Sequence, residues 1–552
     1  VSQLTLKVND NRTITVTEGT KFYDVVKENF SHIDIPVVLA KLDNDYFELR
    51  EVITKGGELS PVTIEETIGM KTYSRTLQFI LIKAVYDLFP EAKVVIEHSL
   101  SKGIYGEIHK DKTLDEEDIK LIKDKMKDLI DENIIINKLS VPKEEALKIF
   151  ENYRFDDKVR FLNHIKNKEI KLYELQGRYD YFYGPIAYST GSIKMFDLIY
   201  HEPGFLLRFP DDKNPKVFPK STNYPKLENI FRETEEWLNI LGVADVGALN
   251  NAIDDKSILE LIMVNEALHE KKIAYIADMI HEREDVKLVL IAGPSSSGKT
   301  TFARRLGIQL RVNGRIPIPI SLDDYFVDRD KTPLDENGEY DFESIDALDL
   351  ELFNKHLNML MNGKEIELPS FNFKLGCREW VGNKIKLPEN GVLVVEGIHG
   401  LNDKLTSKIP GDNKFKIYIS ALTQLNVDNH NRIATTDVRK LRRTVRDFLS
   451  RGYQGGETLN MWPSIKRGEE KNIFVYQEEA DVMFNSTLVY ELCVLKKYAL
   501  EELSKIDRDS SVYYEALRLM SFLRLFKEVD RDIIPTNSIL REFVGGSIFY
   551  KY

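Results

Sequence analysis

Residues 293–300 read Gly293, Pro294, Ser295, Ser296, Ser297, Gly298, Lys299 and Thr300. This spacing of two glycines, a lysine and a hydroxyl residue can cradle a polyphosphate. The glycines let backbone N–H groups turn inward, and a helix N-terminus adds partial positive charge. Lys299 would reach the outer phosphates and Thr300 would place its hydroxyl on Mg²⁺. Thr301, at the helix start, completes the expected ATP-binding set. A Gly/Ser-rich turn with no ligand would leave Lys299 without a purpose.

Asp323 and Asp324 follow a second apolar run, and Glu396 follows a third. Carboxylates beyond the C-terminal ends of strands face the crevice in which open α/β sheets bind ligands. There one carboxylate can take the proton of an attacking hydroxyl while helping to hold a metal; a surface role is the alternative. Arg439, Lys440, Arg442, Arg443 and Arg446 precede Asp447, at spacings that place the arginines largely on one side of a helix. Guanidinium groups can stabilise charge on a transferring phosphoryl group. The competing reading is a salt-bridged helix face.

The elements that must position these residues are legible around them. Apolar runs at 288–292, 316–322, 392–395 and 415–419 alternate with helical stretches at 301–312, 350–361 and 438–449. This pattern predicts a largely parallel sheet covered on both faces. Upstream, alternation at 4–8 and 14–16 around Asn9, Asp10 and Asn11 predicts a hairpin. A helix over 22–30, a strand over 37–42 and helices over 76–89 and 111–137 follow. Residues 173–210 are aromatic and punctuated by Gly and Pro, as strands and turns are. Helical patterns continue over 227–284, and 513–529 predicts a packing helix. The expected fold class is multidomain α/β ending in a P-loop domain with a mainly parallel sheet; the family resemblances given below imply an N-terminal β-grasp and an α+β domain and make the P-loop domain a kinase domain. The expected boundaries are 1–60, 61–225, a helical connector at 226–285, 286–505 and a helical segment at 506–552.

Composition narrows the partners. The 552 residues carry 77 Lys plus Arg against 89 Asp plus Glu, a net charge of −12, which disfavours non-specific binding to nucleic-acid backbones. Cys377 and Cys493 are the two cysteines, too few for a disulfide scaffold or a Cys-rich zinc module. The first ten residues show no signal pattern and no apolar run reaches membrane-spanning length. A soluble cytoplasmic protein is therefore expected, with homo-oligomerisation open.

In their order along 287–490, these motifs resemble the phosphoribulokinase/uridine kinase family. The resemblance implies Asp323 as catalytic base toward a nucleoside 5′-hydroxyl, with Lys299, Arg442, Arg443 and Arg446 as the catalytic cations. Thr300, Asp323 and Glu396 are the implied metal positions. The acceptor would meet Asp324, Tyr325, Glu343, Asp346, Phe371, Phe373 and Arg378. One departure matters: Gly376 stands where uridine kinases carry a base-reading His, so phosphoryl transfer is better supported than uridine specificity.

The first 60 or so residues are similar to the TGS domain, and 61–210 to the second additional domain of threonyl-tRNA synthetase. The positions of that domain's editing ligands read Tyr73, Leu77, Phe182 and Ile186, none of which can bind zinc or activate water as imidazole and thiolate do. A packing or recognition domain is implied. The expected function is thus ATP- and Mg²⁺-dependent phosphorylation of a nucleoside or related hydroxyl compound. Two alternatives stand beside it: a translation-associated RNA binder (tRNA) that uses the nucleotide site as a switch, and a kinase gated by its N-terminal half.

Overall fold

The computed structural model describes residues 2–8, 12–336, 338–423 and 425–550; the predicted turn at Asn9, Asp10 and Asn11 lies outside them. The chain forms two compact units. The first gathers Val1–Asn223, Ala244–Asn250 and Gln424–Ile433; the second gathers Tyr224–Val243, Asn251–Thr423 and Ala434–Tyr552. Two interior segments thus join a different unit from their sequence neighbours, dividing both the predicted connector and the predicted kinase domain. The C-terminal segment belongs to the second unit.

The first unit opens with a five-stranded mixed sheet in the order Arg12–Thr17, Gln3–Val8, Gly57–Thr63, Val37–Leu42, Asp45–Glu48. Gln3–Val8 and Gly57–Thr63 run parallel, and the helix Phe22–Asn29 buries Phe22, Val25 and Val26 with Leu6, Ala40 and Leu59. A long helix, Thr67–Leu88, follows, then antiparallel sheets of four and three strands. That helix starts well before the predicted Thr76. Burial on nearly every face from Thr72 to Tyr86 erases the one-sided stripe that marks an amphipathic helix. The charged helix contracts from 111–137 to Glu116–Asp131, because Asp115 and Asp118 form a capping box that fixes its start.

The second unit is built on a five-stranded, all-parallel sheet in the order Ile316–Ser321, Gly391–Glu396, Leu288–Ala292, Lys414–Ser420, Val482–Asn485. Leu288–Ala292 is buried at every position, as a central strand covered on both faces must be. Ile316–Ser321 contains Pro317 and Pro319; lacking N–H donors, they suit the edge this strand occupies. Because the strands are parallel, Ala292, Ser321 and Glu396 all end on the same side, delivering the phosphate loop, Asp323 and Glu396 to one crevice. Among the described residues, no helix is long and apolar enough to cross a membrane.

Candidate functional site

The phosphate loop leaves the central strand at Gly293, whose Cβ position lies 2.0 Å from the Ile419 carbonyl, so only glycine fits there. Ser296 (φ 61°) and Gly298 (φ 84°) adopt left-handed backbone, turning successive amides toward one concavity. The Ser296 and Ser297 hydroxyls are buried and find no hydrogen-bond partner in the protein. Such polar atoms are costly unless a ligand satisfies them, which fits a bound polyphosphate. Lys299 opens the helix Lys299–Val312 and donates to the carbonyls of Gly293 and Pro294 at 3.0 and 3.2 Å. Burial lowers its pKa against the opposing pull of Glu396, Asp323 and Glu542.

Two carboxylates, Glu396 and Glu343, come close enough to feel the Lys299 charge, and a third, Asp324, faces the hairpin instead. Glu396 accepts a hydrogen bond from Ser321 Oγ at 2.9 Å, and burial, reinforced by Asp323, pushes its pKa up to about 7. Glu343 is likewise pushed up to about 7, by burial and then by Glu469. Asp324 accepts the Phe371 N–H at 3.1 Å and is raised by burial. Among the described residues, no group of three or more His, Cys, Asp or Glu is arranged to hold a metal unaided. A Mg²⁺ ion, which substrate phosphates and one or two carboxylates commonly share, would need no such group.

The lid helix Thr435–Arg446 brings cations to the loop, in two distinct ways. Arg439 pairs with Glu469 and donates to the Ser295 carbonyl, while Arg443 donates to Ser295 Oγ. Arg443 and Arg446 both pair with Asp447; burial pushes that carboxyl up, but the surrounding arginines outweigh it and hold it below its ordinary value. Arg451 is pushed down to about 10 by the Arg446 charge and by burial. Crowded guanidinium groups of this kind favour an anion among them. Arg442 differs: it is fully buried, paired with Glu491 at 2.6 Å and bonded to Ser486, so it fixes the loop from behind.

On the acceptor side, the hairpin Ile366–Asn372 and Cys377–Ile385 packs Phe371 against Phe326 and Phe373. Arg451 lies 5.1 Å over the Phe373 ring, bringing the hairpin to the cationic cluster. Asp346 is exposed, its N–H donating to Ser344 Oγ at 3.3 Å. Two expected contacts change character. Tyr325 is fully buried in the core with Phe353 and Leu357 and bonds His356 at 2.9 Å, leaving no ring face for a ligand. Arg378 pairs with Asp349 and donates to the Tyr325 and Phe326 carbonyls, pinning the loop that carries Asp323. Gly376 has φ 71°, and its Cβ position lies 2.9 Å from the Arg329 guanidinium, so arginine occupies the space where a His is expected.

Glu469, Arg451, Glu542 and His399 escaped the sequence reading. His399 is buried beside the Ser344 backbone and is lowered to about 4 by burial. None of the four lies in a spacing that marks phosphate chemistry. A separate cleft of about 830 Å³, lined by acidic residues including Asp285, Asp403 and Asp481 with Lys414 and Lys416, lies at the N-terminal ends of the strands. In the first unit, Tyr73, Leu77, Phe182 and Ile186 are all buried, and the Tyr73 hydroxyl donates to the Met195 carbonyl at 2.7 Å. They pack a core rather than line a reactive site.

Residues 288–491 match the Phosphoribulokinase / Uridine kinase family. The family's kinase fold agrees with the parallel sheet and loop described above. The N-terminal region matches other proteins. A threonine–tRNA ligase of Clostridium tetani (strain Massachusetts / E88) is 30% identical over 197 residues, 36% of this chain and 31% of that protein. One from Clostridium botulinum (strain Kyoto / Type A2) is 28% identical over 198 residues, again 36% and 31%. The chain thus spans about a third of the length of these curated relatives. Among solved structures, a "possible uridine kinase" from Bacillus stearothermophilus is 21% identical, covering 36% of this chain and 89% of that one, with a TM-score of 0.25.

Proposed function

We propose that this chain is an ATP- and Mg²⁺-dependent phosphotransferase whose acceptor is a hydroxyl of a nucleoside or related small molecule. The observation that carries the reading is convergence: the phosphate loop, Asp323, Glu396 and the Arg443–Arg446–Arg451 cluster come from four separate segments to one end of one sheet. Asp323 takes the acceptor proton as the hydroxyl oxygen forms its bond to the γ-phosphorus. The bond from that phosphorus to the bridging oxygen breaks, and its electron pair leaves with ADP. Lys299, Arg443 and Arg446 stabilise the charge spread over the transferring group. Thr300, Asp323 and Glu396 would hold Mg²⁺, which supplies charge neutralisation when bound. Asp324, Glu343, Asp346, Phe371 and Phe373 form the acceptor side, while Tyr325, Arg378 and Arg442 support the loops that carry it.

Screening nucleosides and small alcohols for ATP-dependent phosphorylation by the full chain tests this reading, with Asp323→Asn as control. The variant should keep nucleotide binding and lose turnover by 10²-fold or more, on the order of a general-base contribution; full activity would refute the assignment. The matches to threonine–tRNA ligases favour a second reading, a translation-associated RNA binder. Tight, salt-sensitive tRNA binding without phosphorylation of any small molecule would support that one instead.

A further inference from the structure

The first turn of the phosphate-loop helix is already engaged by the protein's own carboxylate. Thr301 is the third residue of that helix, so its N–H has no intrahelical acceptor and is one of the donors a phosphate would use. In the structure it donates to Glu542 Oε2 at 3.1 Å, and the Thr301 hydroxyl reaches the same oxygen at 2.9 Å. Glu542 comes from the short C-terminal helix Arg541–Val544. The segment around it is seated firmly: Ile539, Leu540, Phe543 and Val544 are fully buried. Ile539 sits 2.5 Å from the Cβ position of Gly298, Phe543 lies 4.9 Å beneath Arg442, and Tyr550 bonds the Thr301 hydroxyl. A second internal carboxylate, Glu469, accepts the Ser295 N–H at 2.9 Å.

We infer that Glu542 sets the affinity for the phosphoryl donor by competing with its inner phosphate for the Thr301 N–H and hydroxyl, so that nucleotide binds by displacing the C-terminal segment. A carboxylate and a phosphate cannot share these two donors, and their like charges repel at such separation. The segment therefore acts as an internal competitor whose release accompanies donor binding. This rests on the nucleotide reading of the loop.

The test is calorimetric binding of Mg-ATP to the full-length wild type, Glu542→Gln, Ile539→Ala and Lys299→Ala. Glu542→Gln keeps shape and removes charge, and should tighten binding roughly tenfold, the scale of one charge-assisted hydrogen bond that the nucleotide no longer has to replace. Ile539→Ala loosens the segment without touching its charge and should shift affinity in the same direction. Amides of 539–550 should exchange faster with solvent when Mg-ATP is added to the wild type. Unchanged or weaker binding in both variants, or slower exchange, would overturn the inference while leaving the nucleotide site intact. Absence of binding in wild type and variants alike would sink the nucleotide reading itself.

Discussion

Two half-buried carboxylates beside a half-buried ammonium give the proposed phosphate site a pH dependence of its own. Glu396 and Glu343 have pKa values near 7, well above an ordinary glutamate, because burial and neighbouring carboxylates disfavour their charge. The sign of the linkage follows. Between an unfolded value near 4.5 and about 7, the folded state holds more protons than the unfolded chain, so these two groups make stability fall as pH rises through that window. Without nucleotide, the Tm should therefore decline from pH 5 to pH 7.5, and Glu396→Gln should flatten part of that slope. The Mg²⁺ proposed at Glu396 would demand the charged form, so Mg-ATP binding at pH 6.5 should release protons. Calorimetry in buffers of different ionisation enthalpy measures that release; zero release would contradict Glu396 as a metal position.

At the scale of elements, the lid helix separates two kinds of arginine that its sequence cannot distinguish. Arg442 and Arg446 share a spacing and a helix, yet Arg442 is fully buried in a pair of its own with Glu491, while Arg446 shares the buried Asp447 with Arg443 and Arg451. Removing one partner of a buried pair strands the other charge, at a cost of about 3–5 kcal/mol. Arg442→Met should accordingly lower thermal stability sharply, a loss read by denaturant titration. Arg446→Ala leaves Asp447 paired with Arg443 and Arg451, so it should leave the fold intact and lower kcat by about 10²-fold or more, the scale of a lost transition-state contact.

This division also marks what the chain made legible. The strand at 288–292, the helix at 350–361 and the loop between Gly293 and Thr300 appear where local patterning places them, since burial there is continuous or one-sided. Tyr325, Arg378 and Arg442 carry chemically suggestive side chains whose partners lie far away in sequence: His356, Asp349 and Glu491. Local spacing holds no information about such pairings, so their structural roles emerge only once the chain is folded.

The whole molecule adds a constraint that neither half shows alone. Residues 425–433 lie between a sheet strand of the second unit, Lys414–Ser420, and the lid helix that begins at Thr435, yet they fold into the first unit. There Lys158, wholly buried, pairs with Asp180 at 2.8 Å and Asp428 at 2.9 Å. His430 meets Asp180 at 2.7 Å, and the Asn429 carbonyl accepts the Ile96 N–H at 2.7 Å. Side chains and backbone of the N-terminal half thus hold this segment within the first unit, and the chain runs on from Ile433 into the helix Thr435–Arg446. A chain beginning near Asp285 would lose Lys158 and Asp180, leaving the buried Asp428 without its ammonium partner and His430 without its carboxylate. Its kcat should fall by tenfold or more, the scale of one misplaced catalytic contact, while ATP affinity, set by the loop and the C-terminal segment, should change far less. Lys158→Met in the full chain offers the same test at one atom group. It should destabilise by about 3–5 kcal/mol and reduce kcat in any surviving folded protein. Equal kcat in the truncated and intact chains would mean that this segment plays no part in positioning the lid.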